Sequence, residues 1–375
     1  MKKILLHAFC MSVLLAPMLI VPAQAQTQPL LPRHRAELTF VANQFSNNLS
    51  EYSLKTNGAL VRASGSPFAA GGAPNSVALV PSGRFLYIAN VIPGGITAFS
   101  VDQNGNLTPI PGSQFAAITG TAFVTTDPSG RFLYALNCGA NCSGDGPGNI
   151  QAFAIDQLTG MLTPVPGSPF STGQYPYSLA FDPTGHFAYV ANAGSGDVYS
   201  YAVDSGTGEL TTLGLPVLAG TRPLSIAVDP WGQFVYAANT GSSNVSAYAV
   251  NFDGSLTQIS GSPFPVGAFT SAITLSQNGK YALVSAELGV YVYAIESTGA
   301  LVQLAETPVA AGTGPNGLAL DPTNSYLYVA NAGSGTVSAY TFVAGSGKLT
   351  PIKGSPFAAG VFPAGVASAP RPVHQ

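Results

Sequence analysis

Few side chains in this sequence could do chemistry, and those that could act together are carboxylates and a guanidinium. Arg222, Glu287 and Asp145 stand out because each interrupts a text that otherwise repeats along the chain. A carboxylate can act as general base toward a water. A guanidinium can steady the oxyanion formed when that water attacks an ester-type carbonyl. Tyr175, Tyr177, Phe269, Asn75 and Asn316 occupy neighbouring repeat positions. Aromatic and amide groups of this kind suit a small polar ligand or a sugar-like ring. The plainer reading is a loop arginine in a surface salt bridge beside half-buried aromatics.

Other catalytic sets are missing. No G-x-S-x-G elbow occurs. Between residues 38 and 370 the sole histidine is His186, at a turn where other repeats carry Arg84, Arg131 and Lys280. A Ser-His-Asp mechanism therefore has no base. No His, Cys and carboxylate set has metal-ligand spacing, so neither a metal nor a cofactor is expected. Glycine runs such as Gly194-Ser195-Gly196 lie between strand-like segments and lack the helix that gives a phosphate loop its meaning.

The elements that must position these residues are repeats. The stretch from Pro315 to Phe357, PNGLALDPTNSYLYVANAGSGTVSAYTFVAGSGKLTPIKGSPF, recurs nearly unchanged from Pro74, Pro176 and Pro223. One landmark falls at Asn43, Asn90, Asn137, Asn192, Asn239, Ala286 and Asn331, in steps of 47, 47, 55, 47, 47 and 45 residues. The long step holds an insertion around Cys138 to Gly148, and the short one a deletion at Glu287-Leu288-Gly289. A period in the forties with four apolar strands per unit signifies a β-propeller blade, and seven landmarks predict an all-β, seven-bladed propeller.

Within each unit the order is fixed. Inner strands begin near Pro74, Thr121, Pro176, Pro223, Thr270, Pro315 and Pro363. The second strand is the F-x-Y-x-A-N run, the third the V-x-A-Y-x-V run, and the fourth the L-T-P run, whose proline confines it to the sheet edge. Turns such as Asp182-Pro183-Thr184-Gly185 join the first two strands, the Asp bonding backbone and the Pro presetting φ. The chain opens on a second strand, Leu38 to Asn43, and closes on an inner strand, Pro363 to Pro370. One blade is thus expected to take three strands from the front of the chain and one from its end, which removes free edges from the ring. A residue repeated in every blade serves the blade, so the landmark asparagines read as structural and a single site must lie where the pattern breaks.

Composition agrees. Charged residues make up 8% of the chain against 43 Gly and 30 Pro, which suits short strands and tight turns. Lys2 and Lys3, an apolar stretch from Ile4 to Val21 and Ala23-Gln24-Ala25 read as a secretory signal over residues 1–25, with an uncleaved anchor as the alternative. Residues 26–37 read as a lead-in, 38–370 as the propeller and 371–375 as a tail. Removal of the leader leaves 11 Lys plus Arg against 16 acids, so no basic face would attract nucleic acid, and no membrane span would remain. In a secreted or periplasmic, oxidising setting Cys138 and Cys142 are expected to pair. So small a ring would add roughly 2 kcal/mol, local to its loop.

The repeated text P-x-S-[LI]-A-[FV]-D-P-x-G-x-F-x-Y-x-A-N, then V-x-x-Y, then L-T-P-V-P-G-S-P-F, resembles the lactonase-family seven-bladed propellers over residues 38 to 370. It is also similar to the YVTN-repeat propellers. The resemblance implies a hydrolase of a sugar-type lactone, 6-phosphogluconolactonase-like. The other expectation is a non-catalytic envelope propeller that binds a protein or glycan. The matching motifs recur in every blade and designate no catalytic residue.

Overall fold

The computed structural model describes residues 37–115, 120–139 and 146–372. The predicted leader lies outside that range, as do Cys142 and Asp145. Among the described residues every regular element is a β-strand, and the strands form seven antiparallel sheets. The first six blades open at Pro74, Thr121, Pro176, Pro223, Ala272 and Pro315. The seventh is assembled as the sequence implies. Pro363–Pro370 pairs with Glu37–Asn43, which pairs with Asn48–Leu54, which pairs with Leu60–Arg62. Glu37, assigned to the lead-in, already opens the strand and pairs with Pro370.

Blades differ from the expected four strands in one detail. In five of them the outer strand breaks at the G-S-P-F corner or its equivalent, and both pieces pair with the third strand. The serine of that corner is structural in four blades. Its Oγ accepts a third-strand N–H, from Glu51 to Ser66, Ala152 to Ser168, Ala247 to Ser262 and Ala339 to Ser355.

Two tyrosine sets lace the blades together. Second-strand tyrosines reach forward: the Tyr87, Tyr134, Tyr189 and Tyr236 hydroxyls donate to the carbonyls of Gly160, Gly208, Gly254 and Gly299 in the following blade. Third-strand tyrosines reach back, as Tyr248 does to Leu218 and Tyr340 to Ala310. Each hydroxyl ends a buried ring, and the second-strand bonds are themselves buried, so these bonds fix the angle between blades as well as adding stability. Tyr236→Phe is expected to lower stability by about 1–2 kcal/mol, because the Gly299 carbonyl loses its partner. Denaturant unfolding that leaves the midpoint unmoved would contradict that role.

The landmark asparagines are buried and tie the second strand to the third. Asn239 Nδ2 donates to Asn244 Oδ1 at 2.8 Å and Ser246 Oγ at 2.9 Å, and Asn331 reaches Thr336 and Ser338 likewise. The fifth blade trades this pair. Ala286 replaces the asparagine, and Tyr291 replaces the serine that would receive it. A Cβ added to Gly267 would lie 2.3 Å from the Tyr291 hydroxyl, whereas at Gly220 it would lie 2.3 Å from the Ser242 hydroxyl and 2.7 Å from the Asn239 amide. The phenol fills the space of the lost amide.

The closing blade carries its own exchange. Tyrosine or leucine stands opposite alanine, serine or valine in the other blades, as in Tyr236↔Ala247, but here Phe40 stands opposite Glu51. Glu51 is 2% exposed, and burial pushes its carboxyl up to about 7, helped by Asp102 and opposed by Arg371. Across the other face Glu37 is pushed up to about 8 by burial and by the charge and hydrogen bond of Asp321. Folded and protonated, these groups hold protons that the unfolded chain releases near its ordinary value of 4.5. Their contribution to stability is therefore full below about pH 4.5 and is lost as pH rises toward 7–8. Glu51→Gln should flatten that decline and stabilise the ring at pH 8, on the order of 3 kcal/mol by the size of the shift. Melting curves from pH 5 to 8 that are parallel for both proteins would refute it.

Candidate functional site at the channel mouth

Every blade enters its inner strand through one residue, and this residue builds the mouth. At Ala73, Gly120, Tyr175, Arg222, Phe269, Gly314 and Phe362 the backbone is left-handed, with φ between 50° and 87°. Glycine takes that conformation freely, whereas a side chain there opposes local preference by about 1 kcal/mol. Tyr175 and Arg222 are thus held where the fold alone would favour glycine. The carbonyl of this residue accepts the N–H that follows the landmark, as in Tyr175 from Ala193 and Arg222 from Thr240, both at 2.9 Å. In the fifth blade the acceptor moves back to Ala268, bonded by Glu287 N–H at 2.8 Å. The loops between strands two and three therefore share a face with the loops entering strand one.

On that face the third blade supplies an aromatic pair, with Tyr175 and Tyr177 ring centroids 5.8 Å apart and tilted by 58°. Burial raises the Tyr175 phenol, its neighbour Tyr177 adds to the rise, and the Arg222 charge counters it. Arg222 itself is exposed, and among the described residues its side chain has no hydrogen bond or ion pair. Across the mouth Asn75 Nδ2 donates to the Ala122 carbonyl at 2.8 Å and to the Tyr177 hydroxyl at 3.4 Å. Gln44 Nε2 in turn donates to Asn75 Oδ1 at 3.4 Å. A polar arc therefore runs from the closing blade through the first to the third, and ends at the Arg222 charge.

Of the residues singled out in the sequence, the structure brings together Asn75, Tyr175, Tyr177 and Arg222. Phe269 and Glu287 lie on the same face in the fifth blade, exposed, and among the described residues no hydrogen bond, ion pair or ring contact joins them to that group. Asn316 follows Pro315 at the start of the sixth blade, where its carbonyl accepts from Ser285 Oγ at 2.8 Å. Gln44 was not foreseen. It holds the register of Glu287, directly after the landmark, and that comparison would have exposed it. His186 bonds Thr184 on an exposed turn between strands one and two, away from the mouth. Cys138 is disulfide-bonded, and Cys142 lies outside the described residues. Among the described residues no group of three or more His, Cys, Asp or Glu side chains could hold a metal, and no helix could cross a membrane.

The lactonase family of seven-bladed β-propellers matches residues 52–224 and 257–361. The chain belongs to this family. Among solved structures it is similar to the periplasmic gluconolactonase PpgL of Pseudomonas aeruginosa, at 18% identity and a TM-score of 0.74, covering 90% of this chain and 100% of that one. A proposed 6-phosphogluconolactonase from Bacteroides fragilis is 20% identical with a TM-score of 0.73, covering 90% and 99%. No curated protein matches by sequence. At these identities the structural likeness concerns the fold, and this lactonase-family propeller must be read from its own mouth.

Proposed function

We propose that this lactonase-family propeller is exported and hydrolyses a sugar-type lactone at the channel mouth. The observation that carries the reading is Arg222: an exposed, unpaired guanidinium held in a glycine-preferring conformation beside the Tyr175–Tyr177 pair. A lactone ring would lie against the tyrosines with its polar substituents toward Asn75 and Gln44. Its carbonyl oxygen would point to Arg222, which stabilises the tetrahedral oxyanion. Water supplies the nucleophile, giving up a proton as its oxygen bonds the carbonyl carbon. Glu287 and Asp145 are the carboxylates proposed to take it. The ring oxygen leaves with a proton, and the product is a hydroxy acid.

Support for a sugar-type substrate comes from the polar arc and from the gluconolactonase description of a structural neighbour. The Lys2-Lys3 start and Ala23-Gln24-Ala25 site support export to a secreted or periplasmic location. A second reading, a non-catalytic propeller that binds a small ligand, glycan or protein, is favoured by one fact. Among the described residues no carboxylate touches the Arg222–Tyr175 group. Acid release from a panel of lactones, followed by pH-stat, separates the two. Hydrolysis of a sugar-type lactone supports the enzyme, and an inert panel supports the binder.

A further inference from the structure

The repeat has a second interruption, on the outer rim between the fifth and sixth blades. In four blades the outer corner sets a phenyl ring over a glycine. A Cβ added to Gly65, Gly167, Gly261 or Gly354 would lie 3.6–3.7 Å from the ring of Phe68, Phe170, Phe264 or Phe357. Phe357 also packs with Ile352, Ala59 and Leu60, closing the junction between the sixth and seventh blades. In the fifth blade the glycine is Glu306 and the phenylalanine is Val309. Leu304, Lys348 and Leu349 take the places of Ile352, Ala59 and Leu60. The missing ring leaves a cavity of about 310 Å³, lined by Leu304, Glu306, Thr307, Val309, Lys348 and Leu349 among others. That volume is at the lower end of small-molecule sites.

Its chemistry is specific. Leu304, Val309 and Leu349 belong to one apolar cluster and form an apolar lining. Glu306 comes from one blade and Lys348 from the next, so the cavity is lined by opposite charges from two blades. Neither side chain has a hydrogen bond or ion pair among the described residues, with each other or with any third group. Thr307 differs, since its hydroxyl donates to the Leu304 carbonyl at 2.8 Å. The third blade also lacks the phenylalanine, carrying Val217, but it keeps glycine at the corner and so places no charge there.

We propose that this cavity binds a free aromatic α-amino acid. The ring takes the volume that phenylalanine fills in the other corners, the ammonium meets Glu306 and the carboxylate meets Lys348. Each bond joins opposite charges that are otherwise unpaired, and the ring supplies most of the buried apolar area. The site is independent of the channel mouth and of any hydrolysis there.

Titration of the purified full-length protein with L-phenylalanine by calorimetry tests it. Saturable binding of one equivalent is expected. Val309→Phe restores the ring of the other blades and should abolish binding while keeping or raising the melting temperature. Glu306→Gln and Lys348→Gln should each weaken binding at least tenfold. Phenethylamine should bind in a manner sensitive to Glu306→Gln alone, and benzoate to Lys348→Gln alone. Absence of saturable binding to the unmodified protein overturns the proposal. So does full binding by a folded Val309→Phe variant, or undiminished binding by either charge variant.

Discussion

Deletion of residues 361–375 is expected to give insoluble protein, or a melting temperature lower by more than about 10 °C. The reason lies in what the last strand covers. Pro363–Pro370 pairs with all seven residues of Glu37–Asn43, of which Phe40, Val41 and Ala42 are fully buried. Its backbone also fits closely between its neighbours. A Cβ at Gly365 would lie 2.8 Å from the Asn75 carbonyl, and one at Gly317 would lie 2.6 Å from the Ala364 carbonyl. Removal of the strand exposes a row of unpaired N–H and C=O groups and opens two blade junctions. The same segment carries Val361, whose N–H donates to Ser46 Oγ at 3.0 Å. A soluble truncation that melts with the intact chain would contradict this closure.

The second large effect is expected at Arg222. Arg222→Ala should abolish turnover or ligand binding, because the mouth then loses the guanidinium charge that acts on the Tyr175 phenol. Stability should change by less than about 1 kcal/mol, as for an exposed and unpaired charge. Arg222→Gly sharpens the comparison. Glycine occupies this left-handed position at Gly120 and Gly314, so the glycine variant should be at least as stable as the parent and equally inactive. A stabilising substitution that removes function marks a residue kept for its chemistry. Glu287→Gln separates roles further, removing turnover and sparing binding if the carboxylate is the base. Full turnover by either Arg222 variant would contradict the assignment.

Most of the ring was legible in the sequence because a propeller writes its constraints seven times. Spacing of the landmark asparagines counts the blades, and the strand that opens the chain declares its missing partner at the other end. What repetition cannot show is a contact between repeats. The Asn75–Tyr177 bond joins residues 102 apart in sequence, across the second blade. The Phe40–Glu51 exchange is visible only when cross-strand partners are compared blade by blade. The cavity at Val309 likewise appears only against the rings of four other corners. Arg222 was found as a break in the pattern, whereas the left-handed backbone beneath it, which makes the arginine an exception, is a property of the fold. Glu287 shares the face as its register implied, but no hydrogen bond or ion pair among the described residues joins it to Arg222.

The most direct test of the proposed site is a crystal structure of the protein soaked with the hydroxy-acid product of its best lactone. The product's carboxylate is expected within hydrogen-bonding distance of the Arg222 guanidinium, with the carbon chain against Tyr175 and Tyr177 and a hydroxyl on Asn75. Product bound away from the mouth, with Arg222 free in solvent, would contradict it.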